Sequence, residues 1–159
     1  MDKNFKLGLF HGAGYAPLFE SEHDWMVAVY NGCEFPGYLE RHNTSDEAFI
    51  LMAGRGIMLV GDKSPSVSSV KPIELAPFQA INIMRSVWHG ILTSREARVL
   101  IVENRNVTKD NSDYWNCPED FFKQMNLRDI FFQPQQIPTN GKRGVKWNPS
   151  PEGRRRSIS

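Results

Sequence analysis

From residue 25 to residue 104 the chain is a succession of short apolar, β-branched or aromatic runs. Each is cut off by glycine, proline or a polar cluster, and this punctuation constrains the fold more than any other feature. Trp25–Tyr30 is closed by Asn31-Gly32, and Tyr38–His42 leads into the polar turn Asn43–Asp46. Glu47–Ala53 is apolar on both faces and stops at Gly54, and Gly56–Val60 continues the sheet after a tight connection. Residues 62–72, rich in Ser, Pro and Lys, read as a surface loop, followed by Ile73–Leu75 and Ala80–Ile83 around a break at Pro77. Trp88–Thr93 and Arg98–Glu103 form the last pair, joined at hairpin length by Ser94–Ala97. Many short strands with no early helix predict an all-β sandwich or barrel.

The flanks differ. Residues 1–24 are mixed, with His11–Gly14 reading as a turn or loop whose glycines lack the spacing of a phosphate-binding loop. Beyond Asn104, Pro118–Met125 predicts one short helix. Pro134, Pro138, Pro149 and Pro151 predict an extended arm, which Phe131, Phe132 and Trp147 can pin to the barrel or to a second subunit, and Arg154–Arg156 a mobile basic tail. The expected division is therefore a segment 1–24, a barrel core 25–104, a helix and arm 105–150, and a tail 151–159. With 159 residues the chain can bury one proper core, and its net charge of +1 gives no reason to expect nucleic acid or a membrane surface as partner. Cys33 and Cys117 are too few for a disulfide framework and lack zinc spacing. No signal-like segment opens the chain, and no run approaches the ~20 apolar residues of a membrane span, so the expected location is the cytoplasm. A strand apolar on both faces, such as Glu47–Ala53, needs cover outside as well as inside, which predicts a homodimer through sheets or swapped arms.

Side chains two apart on a strand share a face, so Glu40 and His42 project together. Glu47 lies across the turn on the next strand, and His89, with Val87 and Ile91 on its face, approaches from a third. Two imidazoles and one or two carboxylates suit Zn, Mn, Fe or Ni. His42, Glu47 and His89 are the candidate ligands, and open positions on such an ion polarise a substrate oxygen or activate water. The same residues also fit a buried hydrogen-bonded cluster with a purely structural role. Glu40 reads as a further ligand, a general base or a partner of Arg41. Tyr38, Asn82 and Trp88 are candidates to line the barrel mouth and touch a small-molecule ligand, although Trp88 also reads as core. Arg41 alternates away from His42 and points outward, and His11 and His23 read as surface residues.

These motifs resemble the cupin superfamily, whose fold is a small jelly-roll β-barrel. Its first motif has two histidines one residue apart, a glutamate, then six residues and a glycine. His42 falls on the second histidine, Glu47 on the glutamate and Gly54 on the glycine, with Glu40 standing where the first histidine belongs. His89 matches the histidine ending the second motif, whose preceding proline and glycine positions are held by Met84 and Ser86. A closer likeness is to ureidoglycolate lyase-like proteins. Their Arg-His, polar turn and Ala-Phe-Ile are similar to Arg41-His42 and Ala48-Phe49-Ile50, and their later Trp-His to Trp88-His89. The chain departs from that family at Asp46-Glu47, where an uncharged pair is common. The resemblance implies a cupin-like jelly-roll with a short C-terminal helix and arm. It also implies a divalent-metal enzyme acting on a small polar or carboxylate-bearing metabolite by a lyase, isomerase or oxygenase step. That step includes cleavage of ureidoglycolate to glyoxylate and urea. The missing first histidine keeps a second reading open, a non-catalytic module that binds a sugar or metabolite.

Overall fold

The computed structural model describes residues 6–10, 12–31, 35–121 and 125. They form ten strands: β1 Gly14–Glu20, β2 Trp25–Asn31, β3 Tyr38–His42, β4 Glu47–Ala53, β5 Gly56–Gly61, β6 Val70–Leu75, β7 Ala80–Ile83, β8 His89–Thr93, β9 Arg98–Asn104 and β10 Ser112–Asn116. A single 3-10 turn, Lys109–Asn111, precedes β10. One antiparallel sheet has the order β1-β2-β9-β4-β7 and the other β10-β3-β8-β5-β6.

The pairing is nested. β5 pairs with β6, β4 with β7, β3 with β8 and β2 with β9, so the chain from β2 to β9 is one long antiparallel ribbon folded over on itself. Folding the ribbon adds the lateral pairs β4–β9 and β5–β8 and produces the two sheets of a jelly roll. The all-β jelly-roll architecture expected from the sequence is the one observed, as two antiparallel sheets.

Three connections read from the sequence as staying within a sheet instead cross between sheets. β3 and β4, β4 and β5, and β8 and β9 each lie in opposite sheets. A short join fixes the chain's reversal but not which strand it pairs with. The two corners at Ala53–Gly56 and Thr93–Arg98 stack on each other, with Ser94 N donating to Arg55 O at 2.9 Å and Arg55 N to Ser94 Oγ at 3.0 Å. Gly54 is required here. Its φ is +74°, and a Cβ would sit 2.5 Å from the Ala97 Cα.

Other expectations are corrected at the flanks. Residues 14–20, expected to be irregular, form β1 against β2, with a register shift between Pro17 and Phe19. Residues 70–72, expected in a loop, belong to β6. Pro17 and Pro72 are tolerated because β1 and β6 are edge strands, where a missing N–H faces no partner. β10 adds a further strand beyond Asn104, against β3. Phe121 N closes a turn onto Pro118 O at 2.9 Å. The rest of the expected 118–125 helix apart from Met125, the arm, the tail, His11 and Cys33 lie outside the described residues.

The sheets enclose one core of Ala28, Phe49, Leu51, Met58, Val99 and their neighbours. A second core lies on the outer face of the β3-containing sheet, where Leu39, Ile57, Leu59 and Trp88 meet Phe121. On the other sheet's outer face Val27, Val29, Ile50, Leu100 and Val102 are partly buried. No helix among the described residues is long and apolar enough to cross a membrane.

Candidate metal and substrate site

The inward faces of three strands change character along their length. β4 runs Glu47, Phe49, Leu51, β9 runs Val99, Ile101, Glu103, and β8 begins with His89 followed by Ile91. Antiparallel registry puts the ionisable ends of all three at the same end of the fold. Glu47 is opposite Glu103 in one sheet, and Glu40 is opposite His89 in the other. His42 joins them from β3, opposite Ser112.

A cavity of about 490 Å³ opens there, lined by Glu40, His42, Glu47, His89 and Glu103 at its inner end, and by tyrosines 15, 30, 38 and 114 around them. The size and the mix of aromatic walls with a few convergent polar groups suit a small ligand.

Glu47 is the hub. Its Oε2 lies 3.0 Å from His42 Nε2 and 2.9 Å from His89 Nε2, and all three residues are buried. Burial alone would raise the Glu47 pKa, but the hydrogen bonds and charge of the two imidazoles outweigh it and hold the carboxyl down at about 2. The His89 imidazole feels the opposite balance. Burial lowers its pKa, and contact with Glu47 more than restores it, leaving it above the ordinary value. The Val87 carbonyl, 2.9 Å from His89 Nδ1, can only accept, so Nδ1 carries a proton and Nε2 is the atom aimed at the centre. His42 Nδ1 is hydrogen-bonded to Ser112 Oγ at 2.9 Å, which orients the ring.

Glu40 behaves differently. Loss of hydration raises its pKa, His89 and His42 pull it back, and Glu47 pushes it up, with a net rise. It makes no ion pair with Arg41, which lies on the opposite face between Asp113, at 2.8 Å, and the Trp88 ring, 4.5 Å from its centroid. Glu103 is also raised, by burial first and then by the charge of Glu47, and it accepts a hydrogen bond from the Tyr15 hydroxyl.

The donor set fits a divalent ion. One atom each from Glu40, His42 and His89 lie within 4.8 Å of one another, as do atoms of His42, Glu47 and Glu103. Neither group holds His42, Glu47 and His89 together, and Glu47 is joined to both imidazoles by hydrogen bonds. Imidazole and carboxylate together suit the borderline metals.

Of the expected ligand-contacting residues, Tyr38 lines the cavity, edge-on to Tyr114 with ring centroids 5.2 Å apart. Trp88 and Asn82 do not. Trp88 alternates away from His89 into the outer core and donates from Nε1 to Ser64 O at 2.9 Å. Asn82 is opposite Ala48 on the outer face of its sheet and donates to Asp46 Oδ2 at 3.1 Å, bracing the turn before Glu47. The second-motif turn keeps a glycine-like shape without glycine. Ser86 has φ +65°, and its N–H is tied to His42 O at 2.8 Å. Tyr15, Glu103, Lys109 and Tyr114 escaped the sequence reading. Glu103 had a signal, a carboxylate continuing the inward apolar stripe Val99, Ile101, whereas Tyr15 and Tyr114 sit on strands that local pattern did not reveal.

A family model described as ureidoglycolate lyase matches residues 23–128, well over half of the chain. The chain belongs to the ureidoglycolate lyase family. Over 57 residues it is 39% identical to ureidoglycolate lyase 2 of Rhizobium meliloti (strain 1021), a match that spans 35% of this chain and 35% of that relative. Among solved structures it is similar to Streptomyces PAC13 with uridine, with TM-score 0.55 and 8% identity over 76% of this chain and 97% of that one. PAC13 is described as a unique nucleoside dehydratase. It is also similar to the capsular polysaccharide assembling protein CapF of Staphylococcus aureus, with TM-score 0.52 and 14% identity over 70% of this chain and 34% of that one. At such identities these two likenesses show the fold alone, while membership of the ureidoglycolate lyase family rests on the sequence match.

Proposed function

We propose that the protein is a lyase that splits a small carboxylate-bearing carbinolamide of the ureidoglycolate kind, with a divalent metal at the Glu47 hub. One observation supports this reading above others. In a chain of the ureidoglycolate lyase family, Glu40 shares a cavity with His42 and His89 and is the carboxyl of that group kept closer to neutrality.

His42, Glu47 and His89 would hold the ion, which when bound supplies Lewis acidity at the substrate oxygen. Glu40 takes the proton of the substrate hydroxyl. The C–O bond becomes a carbonyl, the C–N bond breaks, and the departing nitrogen receives a proton, so that glyoxylate and urea leave with no net change in protons. A base with a raised pKa suits both halves of that transfer, because it accepts the hydroxyl proton and can return it to nitrogen. Val87 O and Ser112 Oγ hold the two imidazoles in place.

The test is glyoxylate release from ureidoglycolate by the purified protein, with bound metal measured by elemental analysis on the same sample. Turnover that disappears on chelation and returns with metal supports the reading. Stoichiometric metal with no glyoxylate released would overturn the substrate assignment. Absence of metal even after reconstitution would favour the second reading, a binding module, for which the glutamate in place of the first motif histidine speaks.

A further inference from the structure

Glu40, Glu47 and Glu103 face the cavity with only two imidazoles beside them, so the charge of a divalent ion at the hub would be largely offset by these carboxylates. A substrate carboxylate needs a fixed positive charge away from the hub. Among the described lining residues one lysine or arginine meets that need, Lys109. It makes no ion pair with any described residue.

The backbone that carries it is braced. Lys109 begins the 3-10 turn ahead of β10, and Asn111 ties that turn down on several sides. Asn111 Oδ1 accepts from Thr108 N at 2.8 Å, its Nδ2 donates to Asn106 O at 2.8 Å, and its carbonyl accepts from Asn43 N at 2.9 Å. Asn43 directly follows His42. The backbone carrying Lys109 is thus braced to the strand that carries Glu40 and His42. At its other end the loop is anchored by Arg105 N to Asp24 O at 2.7 Å. A charge on a braced turn at the cavity wall loses less entropy on meeting a ligand than one on a loose loop.

We infer that Lys109 is the specificity-determining residue that pairs with the substrate carboxylate, which makes the cavity selective for α-hydroxy acids over their neutral amides. This rests on the reading of the cavity as a lyase site for such an acid.

The experiment combines steady-state kinetics with ureidoglycolate and calorimetric titration with oxamate and its neutral counterpart oxamide. It uses the full chain and its Lys109→Gln and Lys109→Arg variants. The side chain is exposed, so both variants are expected to fold, and metal content and melting temperature check this. The expected result for Lys109→Gln is a KM for ureidoglycolate and a Kd for oxamate each raised about tenfold, the size of one charge-assisted contact. Turnover number, metal content and oxamide binding stay unchanged, and Lys109→Arg restores most of the affinity. Unchanged KM and unchanged oxamate affinity in Lys109→Gln would overturn the inference while leaving the lyase reading intact. Should the wild-type protein release no glyoxylate, the lyase reading fails, and the oxamate titration still decides this one. Weakening by Lys109→Gln supports it, and absent or unaltered oxamate binding overturns it.

Discussion

The space between the two sheets has two ends built from the same strands, and they do opposite things. At one end Leu51, Met58, Ala97 and Val99 are completely buried around the stacked corners at Gly54 and Ala97. At the other, Glu47 and Glu103, each four residues along β4 and β9, and His89 of β8 are nearly as buried but are ionisable. The apolar end holds the sandwich together through area removed from water. The polar end spends stability by burying carboxylates and is stabilised only through mutual hydrogen bonds. The difference teaches that burial alone does not mark a core, because the inward stripe of one strand serves both purposes within a few residues.

If the ends are separable, substitutions should split cleanly between activity and stability. The largest effect is expected for Glu40→Gln. As a general base its loss should lower kcat by roughly 10²–10⁴-fold with bound metal retained. Because burial raises the Glu40 pKa, the charged form is disfavoured in the fold, so this variant should melt no lower, and slightly higher, near neutral pH. Loss of metal in Glu40→Gln would instead make Glu40 a ligand. His89→Ala should weaken metal binding by on the order of a hundredfold, measured by competition with a chromogenic chelator.

At the other end, Met58→Ala should cost about 2–5 kcal/mol in urea unfolding while leaving metal stoichiometry unchanged. Activity falling as far as stability would break the comparison. The pH dependence of the metal-free protein probes the polar end without mutation. Glu47 is held at about 2 in the fold against an ordinary value of 4.5, so its contribution is complete above about pH 4.5 and is lost as pH falls toward 2. A urea midpoint flat from pH 5 to 2.5 would contradict the Glu47 hub. The smallest effect belongs to the outer face. Trp88→Phe removes the hydrogen bond to Ser64 O and should cost about 1 kcal/mol with kcat and KM untouched.

Much of this was legible from local pattern. β3 Tyr38–His42, β4 Glu47–Ala53 and β7 Ala80–Ile83 have the bounds that their turns and alternation imply, and Glu40, His42, Glu47 and His89 do line one cavity. Strand alternation carries this information because it is a property of each segment alone. It also carried the reason that Arg41 faces outward. Trp88 and Asn82 went astray because chemical suitability was weighed ahead of facing. Trp88 adjoins His89 and so must face the other way, and Asn82 is opposite Ala48 rather than beside Phe49.

The sequence by itself therefore determined where most strands between residues 25 and 104 run, which side chains share a face, and that β4 stops at Gly54. Tertiary structure alone decided which strands are neighbours. Short joins after β3, β4 and β8 look like hairpins, yet each carries the chain to the opposite sheet, because the jelly roll's partners are set by nested pairing across the chain. That pairing brings Glu103 opposite Glu47, Tyr15 onto Glu103, and Lys109 to the cavity wall. Such contacts join residues up to 88 positions apart, and no local periodicity encodes them.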